Sequence, residues 1–391
     1  MGDERLRVLF IGGTRYDRPL GGMHRNKFAT LQPISENYVF GYSTTNRFQR
    51  FSDGATFYLI PVKFPWPIRY PIFLSAAVAV AVYLIWRRRI QVLIGQSIYE
   101  GSAAALAKLL IRPFRRRVSV VCELHGDWEA APALYRGDRS QLLLRFIKTI
   151  NRAIARFAFR YADLFRTISE FTTAKLGGWG KKPVITFPAY TDLDLFLDEH
   201  KNGTDLRQRS LILYAGMLRP VKGVHVLIRA FKIVADRHLT ARLWIAGDGP
   251  ERGRLEQSVT QLGLDERVSF LGFLDQTTLK HHMERSSMVV VPSLSEGLSR
   301  VAVEAMACGT AVIGSAVGGL PELIRDGETG VLVPPDDVEA LAERISYLIE
   351  HAHLAAEMGE RGREFVVKRF SNRSYSESFA EMLAMALQEI R

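Results

Sequence analysis

The sequence predicts an α/β protein built from two doubly wound, Rossmann-like domains that face each other across a cleft. Short apolar runs alternate with longer segments of helical periodicity, which indicates parallel sheets covered by helices on both faces. A polar stretch, Leu197–Gln208, interrupts this alternation, which then restarts. The length of 391 residues suits two or three domains of ordinary size. In two such domains a ligand is expected in the cleft, at the carboxyl ends of the strands.

The individual strands follow from the apolar runs. In the first half, strands are predicted at Leu6–Ile11, Gln91–Ile94, Val118–Leu124 and Leu164–Ser169. In the second half, they are predicted at Leu211–Ala215, Arg242–Ala246, Val268–Leu271, Met288–Pro292 and Ala311–Ser315. Helices are predicted between the strands and over most of Val338–Arg391, with a break near Phe370–Arg373. We therefore assign residues 1–200 to one domain and 201–373 to the other, and expect a last helix, about 374–391, to pack on the first.

Composition excludes several classes of protein. With 47% hydrophobic and 24% charged residues, the chain is globular rather than disordered or fibrous. Its two cysteines, Cys122 and Cys308, are too few for a disulfide framework or a four-ligand zinc site by themselves. The first ten residues mix acidic and basic side chains and lead directly into an apolar strand. We therefore expect no secretory signal and a cytoplasmic location.

The net charge of +11 originates in the first half of the chain. Residues 1–200 hold 29 lysines and arginines against 16 aspartates and glutamates, whereas residues 201–391 hold 23 against 25. Such asymmetry indicates an anionic partner: a phospholipid surface, nucleic acid or a phosphorylated substrate. Because zinc-finger, RRM and KH signatures are missing from the sequence, we expect no nucleic-acid partner and favour an anionic membrane surface.

One apolar segment bears on the membrane hypothesis. Tyr70–Trp86 contains no charged residue and is followed by Arg87–Arg89. A membrane span needs about 17–25 such residues, and an arginine run is typical of a cytoplasmic flank. Pro71 shortens the usable helix, however, and a span would separate strands of one sheet. A buried helix, an interfacial helix and a true span all remain open, and a second basic cluster, Arg112 with Arg115–Arg117, favours a position on anionic membrane.

The strongest chemical signal is the segment Glu296–Glu304 (EGLSRVAVE). The strand Met288–Pro292 should end in a loop with Glu296, and a helix should begin near Leu298 and stop at Gly309. The amino end of a helix binds anions, and carboxylates accept hydrogen bonds from sugar hydroxyls. The two glutamates would lie about 12 Å apart along a helix axis, which suits a nucleoside-diphosphate sugar. An ordinary helix with two unrelated glutamates is the alternative.

Two other segments support an anion site. In Tyr214–Gly223 (YAGMLRPVKG), a strand leads through a glycine turn to Arg219 and Lys222, which could neutralise a diphosphate; a solvated loop is the alternative. Near the amino terminus, the first strand leads through a Gly12–Gly13 loop to Gly21 and Gly22. Glycines there would let a phosphate or an acceptor approach the backbone.

With these motifs in order, the chain resembles the family-4 retaining glycosyltransferases of the GT-B fold. Residues 211–335 are similar to the carboxyl-terminal domain of that family. The matching segments are GMLRPVKG, WIAGDGPER, VSFLGFL, PSLSEGLSRVAVEAMACGTAVI, GGLPELI and DGETGVLV. The first half is similar through LGGMHRNKFATL, VCELHGDW, ADLFRTISEFT and ITFPAYTDLDLF. The resemblance implies that residues 1–200 bind the acceptor and residues 201–373 the nucleotide sugar.

The resemblance also implies roles for single residues in the second domain. Glu304 would hold the ribose hydroxyls, and Glu296 would contact the donor sugar. Lys222 would bind the diphosphate. Arg219 would take the place of the arginine that the family has where this chain has Met217. The backbone N–H groups that would help Glu296 belong to Gly297, Leu298, Ser299 and Arg300.

Further implied roles lie elsewhere in the chain. Leu274 would lie near the base, and His125 would line the sugar pocket from the first domain, with a loop histidine as its alternative. Gly21 and Gly22 would lie beside the donor phosphate or the acceptor. Asp192 belongs to a sequence that resembles a metal-binding DxD motif, but its position in the family is interdomain, so a structural role is predicted.

The resemblance implies a metal-independent, cofactor-free transfer in which cations and a helix dipole stabilise the leaving diphosphate. The acceptor would be lipid-linked or a saccharide, in cell-surface polysaccharide or glycolipid synthesis, with the enzyme peripheral on the inner face of the cell membrane. The alternatives are a GT-B epimerase or phosphorylase and an inactive, membrane-associated subunit of a glycan assembly complex. The glycine-rich Gly247–Gly253, with Asp275 farther on, adds a dinucleotide-binding alternative.

Overall fold

Apolar runs of the sequence form the strands of two sheets in the computed structural model, which describes residues 5–45, 47–62, 69–126, 128, 141–179, 181–197 and 208–389. The described residues divide into two compact units. The first unit takes in the chain as far as Asp192 and the terminal stretch from Asn372, and the second runs from Leu193 to Ser371. The domain boundary expected from the sequence, near residue 200, therefore lies a few residues after Leu193, where the second unit begins.

The first unit contains an eight-stranded sheet with the order β3-β4-β2-β1-β5-β6-β7-β8. Its strands are β1 Leu6–Tyr16, β2 Ser35–Ser43, β3 Gln49–Asp53, β4 Ala55–Pro61, β5 Val92–Gly95, β6 Ser119–Leu124, β7 Leu164–Thr167 and β8 Val184–Thr186. All neighbouring pairs are parallel except β3 with β4. The helices are α1 Gly22–Leu31, α2 Arg69–Arg88, α3 Ile98–Ile111, α4 Gln141–Tyr161 and α5 Glu170–Ala174, with short 3-10 turns at Arg112–Phe114 and Gly177–Trp179.

The second unit contains a six-stranded, wholly parallel sheet with the order β11-β10-β9-β12-β13-β14. Its strands are β9 Gln208–Ala215, β10 Arg242–Ala246, β11 Val268–Gly272, β12 Ser286–Val291, β13 Ala311–Ser315 and β14 Val331–Val333. Its helices are α6 Asp194–Leu197, α7 Val224–Arg237, α8 Arg252–Gln261, α9 Gln276–Arg285, α10 Arg300–Ala307, α11 Leu320–Leu323, α12 Val338–Glu350 and α13 Ala352–Arg369. A 3-10 turn spans Pro220–Lys222.

The last helix, α14 Asn372–Gln388, belongs to the first unit. Successive side chains of a strand point to opposite faces, so β1 contributes to two cores. Leu9 lies in a buried cluster with residues of α2 and α3, whereas Phe10 lies in a cluster with residues of α1 and α14. The Phe10 and Phe379 rings stack with centroids 5.9 Å apart. The carboxyl-terminal helix and the first strand therefore contribute to the same hydrophobic core.

The doubly wound α/β architecture predicted from the sequence is confirmed. Each of the nine predicted strands corresponds to an observed strand, and β10 and β13 have the predicted bounds. The predicted break among the terminal helices is also found, between α13 and α14. The assignment of Gly12 and Gly13 to a loop was wrong. Both lie inside β1, where the register shift between Ile11 and Arg15 marks a bulge that carries the strand through the glycines.

Candidate functional site

The second unit has its topological switch point between β9 and β12, because the chain adds β10 and β11 on one side before it continues with β12 on the other. Ligands of open α/β sheets bind beyond the carboxyl ends of the strands at such points. The segment after β9 carries Lys222, and the loop after β12 carries Glu296. Lys222 Nζ lies 2.7 Å from Glu296 Oε2, so these two predicted site residues meet at the switch point.

Close backbone packing fixes the two loops that carry this ion pair. Ser293 Oγ donates a hydrogen bond of 3.2 Å to Glu296 Oε2. Gly223 has a φ of +65°, and a Cβ there would overlap the carbonyl oxygen of Pro292 at the end of β12. Gly318 has a φ of +58°, and a Cβ there would overlap the carbonyl oxygen of Glu296. Glycine is therefore required at both positions to keep Lys222 and Glu296 together.

Arg219 precedes the turn that carries Lys222. Its Nε lies 2.7 Å from the sulfur of Met217, whose side chain is half-exposed. The hydroxyl of the buried Tyr214 donates a 3.1 Å hydrogen bond to the Met217 carbonyl. The Arg219 guanidinium thus lies beside Met217, at the position where the resemblance implies an arginine. Its role at a diphosphate stays a prediction.

Helix α10 begins at Arg300, so the predicted start near Leu298 was wrong. Ser299 is the N-cap, because its Oγ accepts a 3.3 Å hydrogen bond from the Ala302 N–H. Gly297 and Leu298 lie in the loop before the helix, and the N–H groups of the first two helical residues have no intrahelical acceptor. The helix ends at Ala307, and Gly309, with a φ of +65°, follows its C-cap as predicted. Because Glu296 is outside the helix, a helical rise does not give its distance from Glu304.

Glu304 projects from the middle of α10 into a poorly solvated position and is only 4% exposed. Its Oε1 lies 3.2 Å from Arg300 Nη2. Burial raises the pKa of the Glu304 carboxyl group, and the nearby Arg300 opposes this only in part. Among the residues that the structure describes, no hydrogen bond or ion pair joins Glu304 to Lys222 or Glu296. The helix therefore holds a second, separate carboxylate whose charge is only partly balanced.

Leu274 and the glycine-rich segment both lie at the carboxyl edge of this sheet. Leu274 follows β11 and is partly buried against the same apolar cluster as Leu298. In the glycine-rich segment, the Asp248 carbonyl accepts a 3.0 Å hydrogen bond from the Leu218 N–H. Asp275 caps α9, since its Oδ1 accepts a 2.8 Å hydrogen bond from the Thr278 N–H. Loop packing and helix capping thus account for the features that suggested a dinucleotide site.

The first unit carries a separate polar cluster at the carboxyl end of β6. The exposed His125 has Nε2 3.1 Å from Glu123 Oε2, and Glu123 Oε1 accepts a 2.9 Å hydrogen bond from Arg166 Nη1. Both members of the Glu123–Arg166 pair are buried. Burial alone would raise the pKa of Glu123, but Arg166 and His125 outweigh it and lower this pKa to about 2. Burial lowers the pKa of Lys27 to about 8, although the charge of Glu123 counteracts it.

The amino end of α1 is sterically open. Gly21 is the N-cap and Gly22 the first helical residue; both are exposed, and a Cβ at either would meet no atom within 4 Å. One turn later, Asn26 Nδ2 donates a 2.8 Å hydrogen bond to Asp192 Oδ2. This contact ties Asp192 to α1 and fits the structural role predicted for it.

Sequence reasoning missed four residues that shape these sites. Ser293 and Gly318 contact Glu296, and Glu123 with Arg166 fixes the surroundings of His125. Ser293 and Gly318 both lie in segments that are similar to the family. Ser293 could have been found because it precedes Glu296 by three residues, and Gly318 because it forms a pair with Gly319. Glu123 and Arg166 had none, because they are Cα partners across β6 and β7 and the register of those strands is not visible in the sequence.

Comparisons with known proteins agree with this architecture. The family model "Glycosyl transferases group 1" matches residues 198–365, and the model "Glycosyl transferase 4-like domain" matches residues 34–188. The structure is similar to that of Anabaena HepE, which was solved in complex with UDP-glucose. The alignment covers 97% of this chain and 100% of that chain, with a TM-score of 0.74 and 21% identity. That likeness concerns the fold.

Two curated relatives illustrate the range of the sequence similarity. An uncharacterised glycosyltransferase of Methanocaldococcus jannaschii is 43% identical over 34% of this chain, and the alignment spans 34% of that protein. The GDP-mannose-dependent alpha-(1-6)-phosphatidylinositol monomannoside mannosyltransferase of Mycolicibacterium smegmatis is 27% identical over 74% of this chain and 76% of its own length.

Proposed function

The chain belongs to the group 1 glycosyltransferases and has their GT-B fold, and we propose that it moves a sugar from a nucleoside-diphosphate sugar to an acceptor with retention of the anomeric configuration. The observation that carries this proposal is the Lys222–Glu296 ion pair at the switch point of the second unit. A cation and a carboxylate side by side suit a ligand in which a diphosphate is joined to a sugar.

The donor is bound by the second unit in this proposal. Glu304 accepts hydrogen bonds from the ribose hydroxyls. Arg300 pairs with one oxygen of its buried carboxylate, and an ionised carboxylate has acceptor sites for further donors. Lys222 neutralises the diphosphate and Arg219 assists it. The first-turn N–H groups of α10 face the same kind of anion, because the amino end of a helix carries a partial positive charge. Glu296 then accepts a hydrogen bond from a hydroxyl of the transferred sugar.

The chemical step depends on stabilising the leaving diphosphate. Negative charge grows on the leaving oxygen as the sugar–phosphate bond breaks, and preorganised cations and N–H dipoles stabilise that charge without reorganising. The acceptor hydroxyl attacks the same face of the sugar and gives its proton to the leaving phosphate. Lys222, Arg219 and the α10 amino end supply the cationic environment, so we propose that the reaction requires no metal ion.

The acceptor is proposed to be lipid-linked or a saccharide, bound by the first unit. The open amino end of α1 at Gly21 and Gly22 and the exposed His125 offer backbone and imidazole groups for it. The positive charge of the first half supports a lipid-linked acceptor, and the mycobacterial relative is named for a phosphatidylinositol substrate. We further propose a cytoplasmic enzyme, peripheral on the inner face of the membrane, that serves cell-surface polysaccharide or glycolipid synthesis.

A panel of sugar nucleotides tests the donor half of the proposal. The preferred donor should raise the melting temperature by mass action, and the protein should then release the matching nucleoside diphosphate from it. Retention is checked by the anomeric configuration of the transferred sugar. Stabilisation without any release, with every acceptor extract tried, would indicate the inactive subunit instead, and conversion of one sugar nucleotide into another would indicate an epimerase. No stabilisation by any donor contradicts the proposal.

A further inference from the structure

Helix α2 presents an apolar face to solvent. Its inner side chains, among them Phe73, Ala77 and Leu84, are buried in the core of the first unit. Its outward positions Ser75, Ala79, Tyr83 and Trp86 are exposed, and no residue from position 70 to 86 is charged. A surface helix of a globular protein normally carries charged and polar residues on its outer face. The outer face of α2 is therefore suited to an apolar environment.

Neighbouring elements extend this face. Helix α3 packs beside α2 and exposes Leu106 and Leu110, which lie one turn apart, and Phe114 follows in the next 3-10 turn. The rings of Phe114 and Trp86 meet edge to face with centroids 5.2 Å apart. Together, Tyr83, Trp86, Leu106, Leu110 and Phe114 are each between 42% and 60% exposed, and we name them the apolar patch. Large exposed patches of this kind mark interaction surfaces.

Arginines border the apolar patch at the carboxyl-terminal ends of α2 and α3. The Arg116 guanidinium lies 5.5 Å from the centre of the Trp86 ring, so the charged and apolar parts are in contact. The last two residues of α2, Arg87 and Arg88, and the following Arg89 also line a cavity of about 320 Å³. Its other lining residues are Arg7, Tyr38 and Glu36, whose carboxylate pairs with Arg7. All of the following are exposed, and we name them the arginine rim: Arg87, Arg88, Arg89, Arg112, Arg115, Arg116 and Arg117.

We infer that the apolar patch and the arginine rim form one surface that docks on an anionic phospholipid bilayer. Tryptophan, tyrosine and phenylalanine side chains settle at the level of the lipid head groups, and nearby arginines attract anionic lipids. No acidic residue interrupts either segment, Tyr70–Arg89 or Ile111–Arg117. A cationic rim around an aromatic patch thus complements the charge and the polarity profile of such a membrane.

In this arrangement, helix α2 lies in the membrane–water interface and does not cross the bilayer. By length and composition it is one helix that could span a membrane. Its inner face, however, belongs to the core beside β1 and β2. The centre of the Phe73 ring lies 5.1 Å from that of Phe40 and 4.6 Å from that of Tyr42. A span would remove this face from the sheet. The inference deepens the proposed function, on which it rests for its purpose, because docking would bring the first unit to a lipid-linked acceptor.

Vesicle sedimentation tests the surface on the full-length protein without any donor. We expect binding to vesicles of phosphatidylcholine with added phosphatidylglycerol, little binding to phosphatidylcholine alone, and release at high salt. Replacing Arg87, Arg88 and Arg116 by Gln should lower the partition coefficient about 100-fold. The double variant W86S/F114S, which keeps every charge, should lower it about tenfold. The matched control R229Q/R237Q/R344Q removes equal charge from exposed positions of the second unit and should change it less than about threefold.

Several outcomes would overturn the inference. The first is an equal loss of vesicle binding in the arginine variant and its control. The second is salt-independent binding to neutral vesicles. The third is no binding to any vesicle, which would leave an acidic protein as the partner. Retention of the expressed protein in membranes after an alkaline wash would show that α2 spans the bilayer. Thermal stabilisation by the donor nucleotide, measured on the parent and the arginine variant, separates the two proposals. If it is missing from both while vesicle binding holds, the transferase proposal fails and the docking surface stands.

Discussion

Replacing Glu304 should weaken nucleotide binding and, at the same time, fail to destabilise the free protein. A hydrogen bond to a charged group contributes about 1.5–3 kcal/mol, so loss of a carboxylate that holds two ribose hydroxyls costs about 3 kcal/mol or more. At about 1.4 kcal/mol for each factor of ten, E304A should raise the Kd of the donor nucleotide by at least about 100-fold. The same carboxylate is buried with Arg300 as its cationic partner, and burial raises its pKa. The free protein therefore bears a cost for keeping it ionised.

The variant E304Q measures that cost. Because the folded-state pKa of Glu304 is raised, its ionisation favours the unfolded chain, and stability from this group is lost as pH rises through that pKa. We expect E304Q to match or exceed the parent by up to about 1 kcal/mol at neutral pH, with less difference at acid pH. Calorimetric titration with the nucleotide and urea unfolding provide the two measurements, with the exposed Glu343→Gln as control. Unchanged nucleotide affinity, or parallel loss of affinity and stability, would refute the assignment of Glu304 to the ribose.

The other predictions concern one charged group in each unit. K222A should lower nucleoside-diphosphate release from the donor by about 100-fold, because it removes a preorganised cation from the leaving group. The partly exposed Lys232, which pairs with Asp236 on α7, provides the control K232A, and equal turnover in K222A and parent would contradict the role. E123Q leaves the buried Arg166 without its carboxylate and should destabilise the protein by about 3 kcal/mol at pH 7 in urea unfolding. Since the pKa of Glu123 is lowered to about 2, the stability it provides is present above its unfolded-state pKa and is lost as pH falls toward 2. The gap between E123Q and parent should therefore shrink below about pH 4.5, and a gap independent of pH would argue against this ion pair as its source.

Most of the interior strands could be predicted from the sequence because burial on both faces leaves continuous apolar runs. The bounds of β10 and β13 were predicted correctly for this reason. The strands β2, β3, β4, β8 and β14 were missed. Among them, β3 pairs antiparallel at the sheet edge with a half-polar sequence, and β8 and β14 have three residues each. Such short or edge strands bury too little surface to impose a recognisable pattern. The strands β2 and β4 are longer and lie inside the sheet, so this reason does not apply to them.

The site could be predicted where it depends on chain order and not where it depends on register. Lys222 and Glu296 each follow a strand, and adjacent parallel strands bring their carboxyl ends together. Glu123 meets Arg166 only because those two residues face each other across neighbouring strands. The start of α10 was misplaced by two residues because Ser299, rather than an earlier residue, caps it. A cap depends on backbone angles that the residue type alone does not determine.

The return of α14 to the first unit makes that unit discontinuous in the gene. Its core closes only when Phe379, near the end of the chain, reaches Phe10 near the beginning, so the ribosome completes the entire second unit before the first can finish folding. A chimera that tests whether the second unit sets the donor specificity must accordingly be built as an internal replacement, with one junction between Asp192 and Leu193 and the other between Ser371 and Asn372. A simple fusion of two halves would leave the recipient with the wrong closing helix.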